Sequence, residues 1–470
     1  MNDVGSRPPP LCTDAPSATT QPQSESSAGA TAGATQPERK PRIVIVVGGF
    51  GGVSAARALR RSDAEVVLID RRNHHIFQPL LYQVATAVLS PSDVAAPIRQ
   101  LARKQKNLSV MLAEVTGLDL KSRSVTISSD GIGTRIVPFD YLVLAPGMQA
   151  SYFGHDEFAE YAPSLKTIAD GEAIRAKILD AYEKAELTEN PAERDRLLSF
   201  VLVGAGPTGV ELAGSIAQLA SVTLRSNFRQ VDPTKTSVIL LDGAKRILPS
   251  FAESLSRKAA RRLEQLGVTI LTDAKVDKVD EQGVVVAGKR IDSETVLWTA
   301  GVAPSPILKL LETATDRAGR VCVTPFLSVP DHDSVFVVGD AAALAQNGRP
   351  LPGVAQVAIQ EGRYVGRSIN AQIRTGRAPI RPFRYFDKGN MAVVGKNFAI
   401  LETHRLRLSG FTMWFVWAFI HLMFLPQVQN RVRVERQWLW SYLTGQRSSR
   451  LIPESRLLSR APRWSLPGLV

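Results

Sequence analysis

Two glycine-rich turns carry the chemistry that residue types and spacing reveal first. In one, the apolar run Ile43-Val44-Ile45-Val46-Val47 opens into Gly48-Gly49-Phe50-Gly51-Gly52 and the small residues that follow. In the other, Phe200-Val201-Leu202-Val203 opens into Gly204-Ala205-Gly206-Pro207-Thr208-Gly209. A strand that ends in glycines and starts a helix aims unpaired backbone N–H groups, reinforced by the helix dipole, at an anion. A pyrophosphate suits that cradle, so Gly49, Phe50, Gly51 and Gly52, and separately Gly204, Gly206, Pro207, Thr208 and Gly209, are candidate dinucleotide contacts. The strand after each turn runs to an acid, Asp70 or Asp242, where a carboxylate can accept from ribose hydroxyls. At Asp242 the charge also disfavours a 2′-phosphate, which predicts NADH over NADPH, with Lys245 and Arg246 nearby to soften the preference. The second turn holds all three glycines of G-x-G-x-x-G, whereas the first has Val47 in the leading position. A side chain in a turn that wants glycine costs on the order of 1–3 kcal/mol when the backbone is strained.

Three more apolar runs end in turns of the same kind. They are Asp140 to Ala145 before Pro146-Gly147, Thr295 to Thr299 before Ala300-Gly301, and Ser334 to Val338 before Gly339-Asp340. Ligands of open α/β sheets sit at such strand ends, which adds Ala145, Gly147, Ala300, Gly301 and Asp340 to the candidates. Asp340 ahead of three alanines also fits a helix N-cap. Two dinucleotide units in one chain suit a redox enzyme that pairs a flavin with a nicotinamide. Neither Cys12 nor Cys322 belongs to a Cys-x-x-Cys, which excludes a dithiol relay. Adjacent His74 and His75 point to opposite faces of an extended chain, so they read as a packed turn, and no metal site is expected.

On these motifs the chain resembles the two-dinucleotide-binding flavoproteins, and within them the type II, non-proton-pumping NADH:quinone oxidoreductases. The resemblance is carried by Asn73-His74-His75-x-Phe77-Gln78-Pro79-Leu80-Leu81-Tyr82-Gln83, by Gly204-x-Gly206-Pro207-Thr208-Gly209-Val210-Glu211, by Val338-Gly339-Asp340, and by the run from Leu351 to Gln360. It implies that Asp70 holds the FAD ribose, Asp340 the flavin's pyrophosphate and ribitol, and Gly204, Gly206 and Gly209 the NADH pyrophosphate. It further implies Ala355 and Gln356 beside the FAD, Glu211 near the nicotinamide, and Gln356 with Gln360 lining the quinone pocket. Val47, and Pro146 in place of a threonine, depart from the family pattern.

Elements that would position these residues follow from composition and pattern. With 470 residues, 44% of them hydrophobic and 21% charged, the chain can bury more than one core. The expectation is an α/β fold with two Rossmann-like dinucleotide-binding domains and a C-terminal amphipathic helical, membrane-anchoring region. Residues 1–40, rich in Pro, Ser, Ala and Thr, read as a disordered tail. The FAD-binding domain is expected at 41–160 and 320–375, the NADH-binding domain at 161–319, the quinone and membrane region at 376–452, and a basic tail at 453–470. A charge-rich helix is expected over 170–187, broken at Asn190-Pro191.

The C-terminal region predicts where the protein works. Phe411 to Leu425 is a nearly continuous apolar run, too short as a helix to cross a bilayer core of roughly 30 Å. Five of six tryptophans (414, 417, 438, 440 and 464) and eight arginines from 431 to 463, against two glutamates, surround or follow it. Trp with Arg beside aliphatic runs is the composition of an interfacial anchor rather than of a nucleic-acid site. The expected partners are a membrane quinone, the membrane surface and a second copy in a homodimer, with the protein peripheral on the cytoplasmic side of the cell membrane. Two competing readings remain: a flavin-deficient, nicotinamide-sensing membrane protein, motivated by Val47 and Pro146, and a soluble ferredoxin-type reductase.

Overall fold

The computed structural model describes residues 39–377 and 381–452. Nearly all of the N-terminal tail and the whole basic tail of the expected division therefore lie outside the described residues. The helices that matter below are α1 (Phe50–Ala58), α2 (Pro207–Gln218), α3 (Ala355–Thr375), α4 (Phe411–Phe424) and α5 (Val428–Thr444).

The chain divides into two compact units. The first comprises the chain up to His75 with Pro97–Met148 and Pro304–Phe386. Its six-stranded sheet runs in the order Ser328–Val329, His332–Val337, Tyr141–Leu144, Arg42–Val46, Glu65–Asp70, Leu108–Leu112. All pairs are parallel except the one made by the Ser328–Val329 edge strand. Burial on both faces explains the unbroken apolar runs: Ile43, Val44 and Ile45 are all fully buried. Val46 registers with Ile69 on one side and Leu144 on the other, so Val47, Asp70 and Ala145 share the carboxyl edge of the sheet.

The second unit comprises Ile76–Ala96, Gln149–Ala303 and the chain from Asp387 onward. Its parallel sheet has the order Val268–Leu271, Ser237–Leu241, Ser199–Val203, Thr295–Trp298. Val203 registers with Leu241 and Trp298, which sets Gly204, Asp242 and Thr299 at one edge. A small antiparallel sheet, Asn390–Val393, Ala399–Glu402 and Arg407–Gly410, leads into α4 and α5.

These boundaries differ from the expected ones because long-range contacts redraw them. Residues 76–96 join the second unit: Gly171 lets its helix close on Val84 and Leu81, and Asn430 Nδ2 donates to the carbonyls of Ser92, Asp93 and Ala95. Residues 149–160 join it through Trp298, whose indole N–H donates to Ser151 O at 2.8 Å and whose ring packs on Tyr152 and Phe158. Asn190-Pro191 ends one helix and starts another: Asn190 caps Pro191–Leu197 by accepting from Ala192 N. The alanines after Asp340 form no helix. Gly339–Ala341 is a 3₁₀ turn and Ala342–Ala343 pairs with Val321–Cys322, so Asp340 is not an N-cap.

The two departures from the family pattern are accommodated differently. Val47 has φ +74, the left-handed conformation that a β-branched residue rarely adopts, whereas Gly204, its counterpart, has φ +104. A Cβ at Gly204 would stand 2.5 Å from Ala300 N and 2.7 Å from Ala300 Cα, so this position cannot hold a side chain. Val47 packs its half-buried side chain on the core. Pro146 precedes Gly147 at φ +65, the residue pair that a type II turn takes. Val47→Gly should therefore alter stability by less than about 1 kcal/mol, since relief of roughly 1–3 kcal/mol of strain is offset by lost packing and extra freedom of the unfolded chain. Gly204→Val should destabilise the fold far more, and comparison of thermal melts of the two variants checks the contrast.

Candidate functional site

Within the first unit, the turn after Arg42–Val46 is held in shape by side chains that accept from, or donate to, its backbone. Asp70, 4% exposed, accepts from Gly48 N at 2.7 Å through Oδ2 and from Arg72 N at 2.8 Å through Oδ1. Val47 N donates to Ile69 O at 2.8 Å. His75 closes the turn from the other side: its Nδ1–H donates to Gly48 O at 2.9 Å and its ring stands edge-on to Phe50 at 5.1 Å. Burial holds the His75 imidazole below its usual pKa, so it is the neutral donor that this carbonyl needs. The sequence offered the paired histidines without this role; the signal was a histidine inside an apolar turn. Among the described residues there is no cluster of His, Cys, Asp and Glu suited to a metal.

The turn so fixed presents an anion cradle. α1 begins at Gly49 with neither a side-chain cap nor an acid in its first turn. A Cβ on Gly52 would lie 2.0 Å from Val47 O, and one on Gly51 2.9 Å from Val338, so both glycines buy close packing of α1 onto the strand ends. A Cβ on Gly49 would meet only Ala145 O, at 3.8 Å, which leaves that side of the turn uncrowded. Asp340 lies beside Gly353, where a Cβ would stand 3.3 Å from its carboxyl carbon. Gly49, Phe50, Gly51, Gly52, Asp70, Ala145, Gly147, Asp340, Ala355 and Gln356 all belong to this unit, and their chemistry fits a flavin dinucleotide: backbone donors for the pyrophosphate and carboxylates for hydroxyls.

The second unit repeats the device. Asp242 accepts from Ala205 N at 2.5 Å and from Ala244 N at 2.7 Å, the same two relative positions as at Asp70. Gly204 N donates to Leu241 O at 2.7 Å, and a Cβ on Gly209 would meet Gly204 O at 1.9 Å. Thr299 Oγ1, in front of Ala300 and Gly301, donates to the carbonyls of Val203 and Gly204. Nothing lies within 4 Å of a Cβ on Gly206, and α2 has no capping side chain and no acid in its first turn. Gly204, Gly206, Pro207, Thr208, Gly209, Asp242, Ala300 and Gly301 are thus gathered at one sheet edge that fits a second dinucleotide. Arg246 donates from its guanidinium to Phe251 O and Pro249 O.

Glu211 lies deeper than a first-turn carboxylate. It is half-buried, accepts from Val393 N at 3.4 Å, and lines a cavity of about 140 Å³ together with Tyr82, Gln83, Ser215, Trp414, Trp417, Trp438, Tyr442 and Arg447. Burial pushes its carboxyl up to about 8, so it carries a proton at neutral pH. Arg447, which is buried, donates to Thr86 O and Ser215 O, and desolvation brings it down to about 10. Trp438 Nε1 donates to Gln83 Oε1 at 2.7 Å, and Lys396 Nζ stands 4.1 Å above the Tyr442 ring. None of this aromatic cavity was legible in advance. The two glutamines of α3 also separate. Gln360 exchanges two hydrogen bonds with the backbone of Phe386, whereas Gln356 makes no side-chain hydrogen bond among the described residues.

Two doubly wound sheets, each with a glycine turn, an acid and an open helix start, define a two-dinucleotide oxidoreductase, and residues 41–362 match the family described as pyridine nucleotide-disulphide oxidoreductase. Within that class the chain belongs to the type II NADH:quinone oxidoreductases. It is 43% identical over 436 residues to the type II NADH:quinone oxidoreductase Ndh of Mycobacterium tuberculosis, covering 90% of this chain and 93% of that one. NdhA of the same organism is 42% identical over 431 residues, with 89% and 91% covered. The structure of NDH2 from Plasmodium falciparum in complex with NADH shares the fold at a TM-score of 0.79 and 20% identity, covering 87% of this chain and 99% of that one. Removing the charge while keeping an acceptor, Asp242→Asn should raise the kcat/KM for NADPH relative to NADH by roughly tenfold, measured by paired steady-state assays.

Proposed function

We propose that this protein oxidises NADH at a bound FAD and reduces a membrane quinone, without pumping protons. The observation that carries the reading is the duplicated turn: Asp70 on Gly48 in one unit and Asp242 on Ala205 in the other hold two pyrophosphate cradles in one chain. FAD supplies the two-electron chemistry, by which NADH, a proton and quinone become NAD⁺ and quinol. The protein binds and orients both nucleotides, and it keeps a proton on Glu211. Gln356, with an uncommitted amide, is the group in the first unit suited to a quinone oxygen, while Gln360 braces the 385–386 segment. Against the flavin-deficient reading, Val47 takes the left-handed conformation that a glycine has at the counterpart Gly204. A ferredoxin-type reductase has no use for the apolar C-terminal helices.

Those helices support a membrane-bound reading. α4 has 14 residues, about 21 Å at 1.5 Å each, and no described helix is long and apolar enough to cross a membrane. Phe411, Phe415, Phe419 and Met423, four residues apart, form an exposed stripe on α4, with Phe419 at 65%, while Trp417 on the opposite side is buried. Trp440 and Leu443 of α5 are exposed as well, with Arg433 and Arg436 beside them. We assign this surface to the cytoplasmic face of the cell membrane, and a homodimer would cover part of it. Each apolar side chain contributes about 1.5–3 kcal/mol on burial, so the double variant Phe415→Glu with Phe419→Glu should bind anionic vesicles at least tenfold more weakly in cosedimentation. Its NADH oxidation with a water-soluble acceptor should persist.

Anaerobic mixing with NADH should bleach the flavin absorbance, and a later quinone pulse should restore it; a colourless or unresponsive protein would refute the reading. In the same experiment Glu211→Gln should slow at least one of the two phases, and unchanged rates in both would remove its role. The sign of its pH dependence is set by the raised pKa. Glu211 is protonated below about pH 8 and becomes a poorly solvated anion above it, so the affected rate falls as pH rises through 8, while its contribution to wild-type stability declines from about pH 4.5 up to about 8 and levels off beyond. Glu211→Gln, which cannot ionise, should lack that decline in pH-dependent melts.

A further inference from the structure

One buried acid of the first unit has no part in the reading so far. Glu361, on α3, is 1% exposed, and its Oε2 accepts from the backbone N–H of Gly339 at 2.5 Å. Gly339 has φ +77, and a Cβ there would stand 3.2 Å from the Cβ of Ala358, so the turn that leads to Asp340 is pressed onto α3. The neighbouring residue on α3 touches the other half of the site. A Cβ on Gly362 would lie 2.1 Å from Gly51 O, and one on Gly366 2.7 Å from Ala55 O, so α1 rests on α3 with backbone in contact. One helix therefore carries both the fingerprint helix α1 and the Gly339–Asp340 turn.

We propose that Glu361 is a positioning residue of the flavin site, holding Gly339 N–H so that Asp340 keeps its place relative to the N-terminus of α1. The inference rests on the flavin reading above. Residue types support it. Among the described residues, Asp340 is the ionisable group that acts on Glu361, and α1 faces α3 through Gly51, Ala55 and Ala58, while the charge of Arg57 on α1 acts against that of Arg363. Burial, reinforced by the Asp340 charge, pushes the Glu361 carboxyl up to about 8, so at neutral pH it is an uncharged acid. Its carbonyl oxygen accepts from Gly339 without placing a second negative charge beside Asp340. Above pH 8 the acid ionises, and two carboxylates then repel each other at the turn.

The test is titration of FAD into apo-protein, followed by flavin fluorescence, for the wild type, Glu361→Gln and Glu361→Ala between about pH 6 and about pH 9.5. Glu361→Ala, which leaves a buried N–H without its acceptor, should bind FAD about tenfold more weakly at pH 7 while NADH binding to the second unit is unchanged. Glu361→Gln, a neutral isostere, should match the wild type within about threefold at pH 7 and should lack the wild type's loss of affinity above pH 8. If Glu361→Ala does not fold, the pH profile of Glu361→Gln decides alone. The inference is overturned if Glu361→Ala binds FAD as the wild type does, or if Glu361→Gln keeps the alkaline loss. A wild type that takes up no FAD at any pH would instead overturn the proposed function.

Discussion

A carboxylate that accepts from the second backbone N–H beyond a strand is the interaction on which the shape of both glycine turns depends. Asp70 does this at Gly48 and Asp242 at Ala205, and each acid also takes the N–H two residues past itself. The pair of bonds turns the strand end sharply and leaves the next amides, at the start of α1 or α2, pointing outward with no capping side chain. An anion can then complete the helix start, which is why these helices begin on glycine rather than on serine or aspartate.

The two copies of the device tolerate different residues because their surroundings differ. At Gly204 the backbone of Thr299 and Ala300 fills the space that a Cβ would need, so only glycine fits. At Val47 a side chain is packed on the core in a left-handed conformation, held there by Val47 N on Ile69 O and by the contact of its carbonyl with Gly52. Strain at a site of this kind persists when the surroundings determine the backbone more strongly than the residue does. His75, Glu361 and the crossing of α1 with α3 supply that determination in the first unit.

The C-terminal helices serve two surfaces at once. α4 is apolar on both faces, so its inner face can enclose the cavity around Glu211 while its outer stripe of phenylalanines stays exposed. Polar side chains do the docking: Asn430, Arg447 and Thr223 meet backbone carbonyls of the second unit, and a buried arginine without a carboxylate is stabilised by those dipoles. The same low-dielectric interior holds the proton on Glu211.

Local pattern was enough for the strand-turn-helix units, the acids at the second strand ends, the departure from glycine at position 47 and the apolar α4, because each is dictated by neighbours within about 30 residues. Fold class and the two strand-turn-helix units were therefore legible in the residues alone. What they could not show depends on distant partners. Residues 76–96 join the second unit because Gly171 and Asn430 reach them, His75 serves Gly48, Gln360 meets Phe386, and Asp340 lies in a 3₁₀ turn ahead of the paired Ala342–Ala343. Periodicity reports which face of a segment is apolar, not what covers it. Only tertiary packing, through the desolvation it imposes, decided that Glu211 and Glu361 are held neutral while Asp70 and Asp242 spend both carboxylate oxygens on backbone N–H groups.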